Sequence, residues 1–159
     1  MLFRSRNRTF TDISKTLKLP LLSRRGAAFG DVNNDGKVDV LILNEDGPPT
    51  LLLNRTPNAG HAVLIGLEGT KSNRSGIGSR VTVRAGGLMQ FQEERGGGSY
   101  LSSNDPRLHF GLGTAKTIDS VEIVWPSGKK ESFSHLPADF IYTFVEGRGV
   151  AKKVALGGS

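Results

Sequence analysis

Asp31-Val-Asn-Asn-Asp-Gly-Lys-Val-Asp39 is the stretch around which this chain is organised. Side chains with oxygen atoms recur at alternate positions, and a glycine follows the third of them. This is the spacing of a calcium loop, which supplies side-chain ligands from positions 1, 3, 5 and 9 and a backbone carbonyl from position 7. The expected ligands are Asp31, Asn33, Asp35 and Asp39 through their side chains and Lys37 through its carbonyl group. The sequence therefore predicts a Ca²⁺ site.

The residues after the loop decide which class of calcium loop it resembles. An EF-hand needs a bidentate Glu at position 12 and a helix on each side. Position 12 here is Ile42, within the apolar and β-branched run Val38–Leu43, which is typical of a buried strand. The loop is thus expected to connect two strands. The alternative is a turn without metal, because Asn, Asp and Gly favour turns in any case.

The wider stretch Gly26-Ala-Ala-Phe-Gly-Asp-Val-Asn-Asn-Asp-Gly-Lys-Val-Asp-Val-Leu41 resembles an FG-GAP (VCBS, integrin-α-like) repeat, which forms one blade of a β-propeller. Phe29-Gly30 matches the pair that names the repeat. The resemblance implies that calcium pins the connection between two blade strands and has no catalytic part. We expect the blade, with a basic N-terminal arm, to occupy residues 1–56. One blade cannot close a propeller, so it would need upstream blades or a second copy of the chain.

Composition restricts the class of protein. The chain has 159 residues, of which 36% are hydrophobic, 21 are Gly and 7 are Pro, as in soluble proteins with many short strands and turns. Cysteine is absent, which excludes disulfides, thiolate metal sites and cysteine nucleophiles. No apolar run approaches the roughly 20 residues that span a bilayer, so no membrane span is expected.

The net charge of +6 lies in residues 1–25, and the rest of the chain is balanced. A basic arm can bind an acidic polymer or a nucleic acid, and this is one alternative function for the chain. No aromatic ladder or nucleic-acid-reading motif accompanies the arm. We therefore expect solvated charge here rather than nucleic-acid binding.

Residues 57–61, rich in Pro and Gly, are the expected linker, and residues 62–146 show the alternation of short strands with regular turns. This pattern predicts a compact antiparallel β-sandwich. Alternation around Ala85-Gly-Gly87 places Val81, Val83, Met89 and Phe91 on one face of a hairpin and Gln90 and Gln92 on the other. Residues 147–159 are expected to form a flexible tail.

Three motifs in the second half resemble the ASPIC/UnbV domain of cartilage-acidic-protein-like and bacterial FG-GAP proteins. They are Gly69-Thr-Lys-Ser-Asn-Arg-Ser-Gly-Ile-Gly-Ser-Arg-Val-Thr-Val83, Gly98-Ser-Tyr-Leu-Ser-Ser-Asn-Asp-Pro-Arg-Leu-His-Phe-Gly-Leu-Gly113 and Val121-Glu-Ile-Val-Trp-Pro-Ser-Gly128. The resemblance implies an extracellular binding or structural context and names no reaction. The expected architecture is thus all-β: a single propeller-type blade joined to a β-sandwich.

A polar cluster follows the glycine-rich loop at 96–98. Its residues suit a sugar, because an aromatic ring can stack on the ligand while amide and carboxylate groups bind hydroxyls. The alternative is a structural turn whose side chains bond to the loop backbone. The candidate ligand-binding residues are Tyr100, Ser102, Asn104, Asp105, Arg107 and His109.

No pattern of residues indicates catalysis. No serine lies in a G-x-S-x-G elbow, and the adjacent Glu93 and Glu94 are expected to point to opposite faces of a strand, which argues against paired acid/base work. We therefore expect no enzymatic activity. The alternative is a weak carbohydrate-active enzyme, or an accessory module of one.

The expected function is a non-catalytic, calcium-stabilised binding or adhesion module, with a glycan or an extracellular protein as partner. Weak calcium loops are usually occupied where calcium is millimolar, so the expected location is extracellular, periplasmic or at the cell surface. The first residues lack the apolar centre of a signal peptide. We therefore expect the chain to be the C-terminal part of a longer protein.

Overall fold

The computed structural model describes residues 3–6, 9–12, 23–98 and 100–157, the first two ranges at the level of the backbone only. All regular structure in these ranges is β-strand. The predicted basic arm falls mostly on residues 1–22, whose side chains lie outside the described part. The strands are β1 (Phe3–Arg6), β2 (Thr9–Asp12), β3 (Arg24–Gly30), β4 (Asp39–Asn44), β5 (Thr50–Leu52), β6 (His61–Glu68), β7 (Arg80–Ala85), β8 (Leu88–Glu93), β9 (Leu108–Gly113), β10 (Thr117–Val124), β11 (Lys130–Pro137), β12 (Phe140–Val145) and β13 (Gly149–Ala155).

The first part of the chain forms two small sheets. β1 pairs with β2, and β3, β4 and β5 form an antiparallel sheet in that order. The 31–39 loop connects β3 to β4, so the prediction that it lies between two strands is confirmed. On one face of this sheet Leu41 lies opposite Leu51. With Leu43 and Leu53, which follow the same alternation, these side chains are 43–46% exposed.

Two four-stranded sheets form the rest of the fold, with the strand orders β11-β10-β7-β8 and β13-β12-β6-β9. Inward-facing side chains of both sheets share one core, in which Trp125, Tyr142, Phe110 and Phe144 are the largest fully buried residues. The all-β fold is therefore confirmed. The second sheet is mixed rather than antiparallel, because β6 and β12 run parallel.

The predicted facing of the β7–β8 hairpin is wrong for β8. The turn contains two residues, Gly86 and Gly87, so Ala85 pairs with Leu88 and odd-numbered residues of β7 lie opposite even-numbered residues of β8. Because a shift of one residue reverses every side chain of a strand, Met89 and Phe91 lie on the exposed face. Gln90 and Gln92 lie on the inner face, opposite Val83 and Val81.

The two inward glutamines hold the edges of the two sheets together. Gln90 Nε2 donates to the carbonyl oxygen of Gly111 at 2.7 Å, and Gln92 Nε2 donates to that of His109 at 2.5 Å. Both acceptors belong to β9, the edge strand of the facing sheet. Amide side chains are suited to this position because a free carbonyl group at a sheet edge needs a donor.

The tail is another correction. Residues 147–159 were expected to be flexible, but β13 pairs along the length of β12, from Phe140 with Ala155 to Val145 with Gly149. Lys153 Nζ lies over the ring of Phe140, 4.0 Å from the ring centroid. A lysine side chain that covers an aromatic ring gains apolar contact and a cation–π interaction, and these contacts explain why a polar-looking segment is ordered.

Candidate functional site

The 31–39 loop turns tightly through two residues with positive φ, Asn34 at 59° and Gly36 at 83°. Asn tolerates this conformation better than most residues, and glycine adopts it without steric cost. A side chain at position 36 would also approach Leu156 Cδ1 to 3.2 Å. The sequence at these two positions therefore suits the turn that brings the ends of the loop together at the β3–β4 pair.

The carboxylates at the two ends of the loop are buried and accept backbone hydrogen bonds. Asp31 accepts from the amides of Asp35 (3.0 Å) and Gly36 (2.8 Å). Asp39 accepts from Val32 at 3.0 Å and from Asn54, beyond β5, at 2.8 Å. These bonds tie the loop both to itself and to the next part of the sheet.

The third carboxylate, Asp35, lies with the other predicted ligands. It accepts from Asn33 Nδ2 at 3.0 Å and from the Lys37 amide at 2.9 Å, and Lys37 Nζ is 3.5 Å away. Burial alone would raise the pKa of Asp35, but the hydrogen bonds from Asn33 and Lys37 and the charge of Lys37 lower it. Asp35 therefore remains ionised at neutral pH.

The chemistry of these donors fits a hard cation. Carboxylate, amide and carbonyl oxygens are the ligands that Ca²⁺ takes, and a carboxylate oxygen that accepts one N–H bond keeps a second lone pair. Each of the three carboxylates accepts at least one hydrogen bond from a backbone amide. Within the described residues, no group of three or more carboxylate, imidazole or thiol side chains has the arrangement of a metal site.

The second half of the chain holds the loop from outside. Arg107 donates to the carbonyl oxygen of Asp31 at 2.8 Å and to Asn34 Oδ1 at 2.6 Å. His109 Nε2 lies 2.7 Å from the carbonyl oxygen of Gly36. Arg107, just before β9, and His109, within it, thus contact the loop at two backbone carbonyl groups and one side chain.

Arg107 is itself positioned by Asp105. The Nε atom of the guanidinium group lies 2.9 Å from one carboxylate oxygen and 3.0 Å from the other. Burial opposes ionisation of Asp105, but the hydrogen bonds and charge of Arg107 lower its pKa, while Asp105 raises that of Arg107. The pair is therefore charged at neutral pH and presents the remaining guanidinium N–H groups to the loop.

The segment at 104–105 also extends the edge of β3. The Asp105 amide donates to the carbonyl oxygen of Phe29 at 2.9 Å, and the Phe29 amide donates to Asn104 Oδ1 at 3.0 Å. The chains approach closely here, since a Cβ atom on Gly30 would lie only 2.8 Å from that of Asp105. Gly30 is thus the glycine that this contact requires.

The structure divides the six candidate ligand-binding residues. Asn104, Asp105, Arg107 and His109 contact β3 or the 31–39 loop, as described above. Ser102 Oγ donates to the carbonyl oxygen of Tyr100 at 2.9 Å, and the Tyr100 side chain is 68% exposed. Ser102 also lies against β3, because a Cβ atom on Gly26 would collide with its hydroxyl group. Five of the six side chains therefore lie at the contact between the two halves of the chain, and Tyr100 is the exposed one.

A cleft of about 440 Å³ lies beside this contact, between the end of β3 and the edges of β8 and β9. Glu94 lies in its lining and is only 4% exposed. Burial, together with the charge of Asp105, raises the pKa of Glu94 to about 7. Its neighbour Glu93 faces outward beside Arg95, as the strand alternation predicts.

Another buried carboxylate, that of Glu146, connects loops that lie far apart in the sequence. It accepts hydrogen bonds from the amides of Thr70, Lys71 and Ser72 at 2.7–2.8 Å, and also from the hydroxyl of Ser127. Burial alone would raise its pKa, but these bonds lower it to about 2. The signal in the sequence was the Thr-Lys-Ser run, whose successive amides can surround one anion.

The family model for ASPIC and UnbV matches residues 69–151, which include β7 to β12 and the start of β13. This chain belongs to the ASPIC and UnbV family. The matched region of this family member contains Arg107, His109, Glu94 and Glu146, and the 31–39 loop precedes it.

No curated protein matches the chain. No helix that could cross a membrane is found in the ranges that the structure describes.

Proposed function

We propose that this ASPIC and UnbV family member is a non-catalytic, extracellular binding or adhesion module whose 31–39 loop takes up calcium as a structural ion. Asp31, Asn33, Asp35 and Asp39 would hold the ion through side chains, and Lys37 through its carbonyl group. The ion would neutralise three carboxylates that lie within nine residues of one another. Support comes from the oxygen donors and from the resemblance of Gly26–Leu41 to an FG-GAP blade.

The observation that carries this proposal is the docking of the loop on β9. Arg107 and His109 bind the carbonyl groups of Asp31 and Gly36, so the shape of the loop determines how the first sheet meets the family domain. A ligand that orders the loop would therefore also order this contact. We accordingly assign calcium a structural role.

The leucine face supports a further part of the proposal, the completion of the blade. Leu41, Leu43, Leu51 and Leu53 form a contiguous apolar surface, whereas Ile42 on the other face of the sheet is buried. Apolar patches of this kind mark contact surfaces. We propose that another blade covers this face, supplied by preceding sequence or by a second copy of the chain.

Direct calcium binding tests the proposal. Isothermal titration of the full chain should give one site per chain for Ca²⁺ and a much weaker response to Mg²⁺, whose smaller shell demands stricter geometry. Asp35→Ala should abolish the Ca²⁺ signal, while Asp46→Ala, outside the loop, should retain it. An unchanged signal in Asp35→Ala would contradict the assignment of the loop.

A further inference from the structure

The cleft beside the 31–39 loop has the size and lining of a small-ligand site. Its volume of about 440 Å³ lies within the range of such sites. Phe29, Leu64 and Leu108 contribute apolar surface, and Gln92 and Asn104 contribute polar groups. A ligand with an aliphatic stem and one polar end would match this combination.

Glu94 lines the cleft and has no oppositely charged partner among the residues that the structure describes. Its carboxyl group accepts no hydrogen bond within the part of the chain that the structure describes, and it is not fully enclosed: the residue keeps 4% exposure and lines the cleft. Buried carboxylates are normally paired or hydrogen-bonded, because transfer of an unpaired charge from water is costly. An unpartnered buried acid that lines a cleft is therefore expected to meet its partner in a ligand.

The other charged groups of the cleft are already engaged. Asp105 forms an ion pair with Arg107, Glu93 lies 3.4 Å from Arg95, and the Asp31 carboxylate accepts backbone amides. The charged group that acts on Glu94 is the carboxylate of Asp105, which disfavours a second negative charge. A positive charge beside Glu94 would favour its ionised form and so offset both the desolvation cost and this repulsion.

From these observations we propose that the cleft is a binding site for an organic cation, a guanidinium or primary ammonium group on an aliphatic stem, with Glu94 as its counter-ion. A carboxylate with both oxygens free can accept a guanidinium group through two parallel hydrogen bonds. The stem would pack on the apolar wall that includes Phe29. This site supplies a ligand class for the proposed binding module and does not depend on calcium in the loop.

Matched small probes test the site in the full chain. Isotope-labelled protein is titrated with the Nα-acetyl derivatives of L-argininamide, L-lysinamide and L-citrullinamide. Acetylation removes the charge of the α-amino group, so acetylated citrullinamide has the shape of acetylated argininamide without any positive charge. We expect saturable NMR shifts at Gln92, Glu94, Gly97 and Asn104 with either cationic probe and none with citrullinamide. The ratio of the two cationic affinities tells guanidinium from ammonium. Shifts of equal size with citrullinamide, or no saturable shift at these residues, would overturn the proposal.

Substitutions test whether binding requires the charge of Glu94. Glu94→Gln keeps the shape of the side chain and removes the charge, so it should weaken binding about tenfold or more. Glu122→Gln, at an exposed acid of β10 that does not line the cleft, should bind as the wild type does. If Glu94→Gln does not fold, the citrullinamide comparison in the wild type still decides.

Two further arms distinguish this proposal from the calcium site. Asp35→Ala should lose calcium binding but keep argininamide binding, so the two proposals can fail separately. In Asp35→Ala, where the loop no longer takes up the ion, addition of Ca²⁺ alone should leave the Glu94 resonances unshifted. Calcium-induced shifts at Glu94 in Asp35→Ala would make the cleft a metal site and would overturn the organic-cation assignment.

Discussion

Arg107 Nη2 lies 2.8 Å from the carbonyl oxygen of Asp31, so a side chain of the ASPIC and UnbV domain binds the first residue of the candidate calcium loop. The same guanidinium group is fixed by Asp105. This chain of contacts runs from the family domain through one ion pair to the loop backbone. The family domain therefore holds the backbone of the loop in place through Asp105 and Arg107.

Arg107→Ala should destabilise this contact. The substitution removes the donors to Asp31 and Asn34 and leaves the Asp105 carboxylate without its partner. We expect a loss of about 1–3 kcal/mol in the free energy of unfolding, since partial exposure screens the pair. Urea unfolding followed by tryptophan fluorescence measures it. Arg84→Ala, which breaks an exposed pair at 3.9 Å from Glu122, is the control and should cost much less. Equal losses would contradict the role given to Arg107.

Glu146→Gln should lower the melting temperature, because a neutral amide cannot match a carboxylate as acceptor for three amides and a serine hydroxyl. The folded-state pKa of Glu146 is about 2, below its ordinary value of 4.5. Its contribution to stability is therefore complete above about pH 4.5 and is lost as the pH falls towards 2. Melting curves of wild type and variant between pH 2 and pH 7 should converge at the acid end. A constant difference across that range would refute this account of Glu146.

The exposed leucine face should affect assembly. If a second copy covers it, light scattering should show a dimer that Leu51→Lys converts to a monomer, because a buried lysine at the contact would lack a partner. If preceding sequence covers it, the chain should be monomeric and Leu51→Lys should reduce the binding of a hydrophobic dye. A monomer that binds no dye before or after the substitution would show that the face needs no cover.

The sequence allowed the strands and the loop position to be predicted because their signals are local. Alternation of apolar residues marked the strands, and the Asp-x-Asn-x-Asp-Gly spacing marked a turn between β3 and β4. The ASPIC and UnbV motifs were also identified from the sequence, and the family match confirms them. The propeller blade and the calcium site remain predictions.

The errors arose where structure depends on pairing between distant segments. The sequence predicts a three-residue turn, Ala85-Gly-Gly87, but the turn contains only Gly86 and Gly87. This difference of one residue reverses the direction in which the side chains of Gln90, Gln92, Met89 and Phe91 point. β13 forms because it pairs with β12. No local pattern in the sequence of residues 147–159 predicts that pairing. The roles of Arg107 and Glu146 depend on partners some 75 residues away in the chain. Composition alone could not distinguish these roles from those of ordinary polar loop residues.

The most direct test of the central claim is the melting temperature of the full chain with and without calcium. At a calcium concentration about 100 times the dissociation constant, binding to the folded state alone adds about 2.7 kcal/mol of stability. We predict a rise of several degrees in wild type and in Asp46→Ala, its reversal by chelator, and no rise in Asp35→Ala. A wild-type melting temperature that calcium and chelator both leave unchanged would contradict the account.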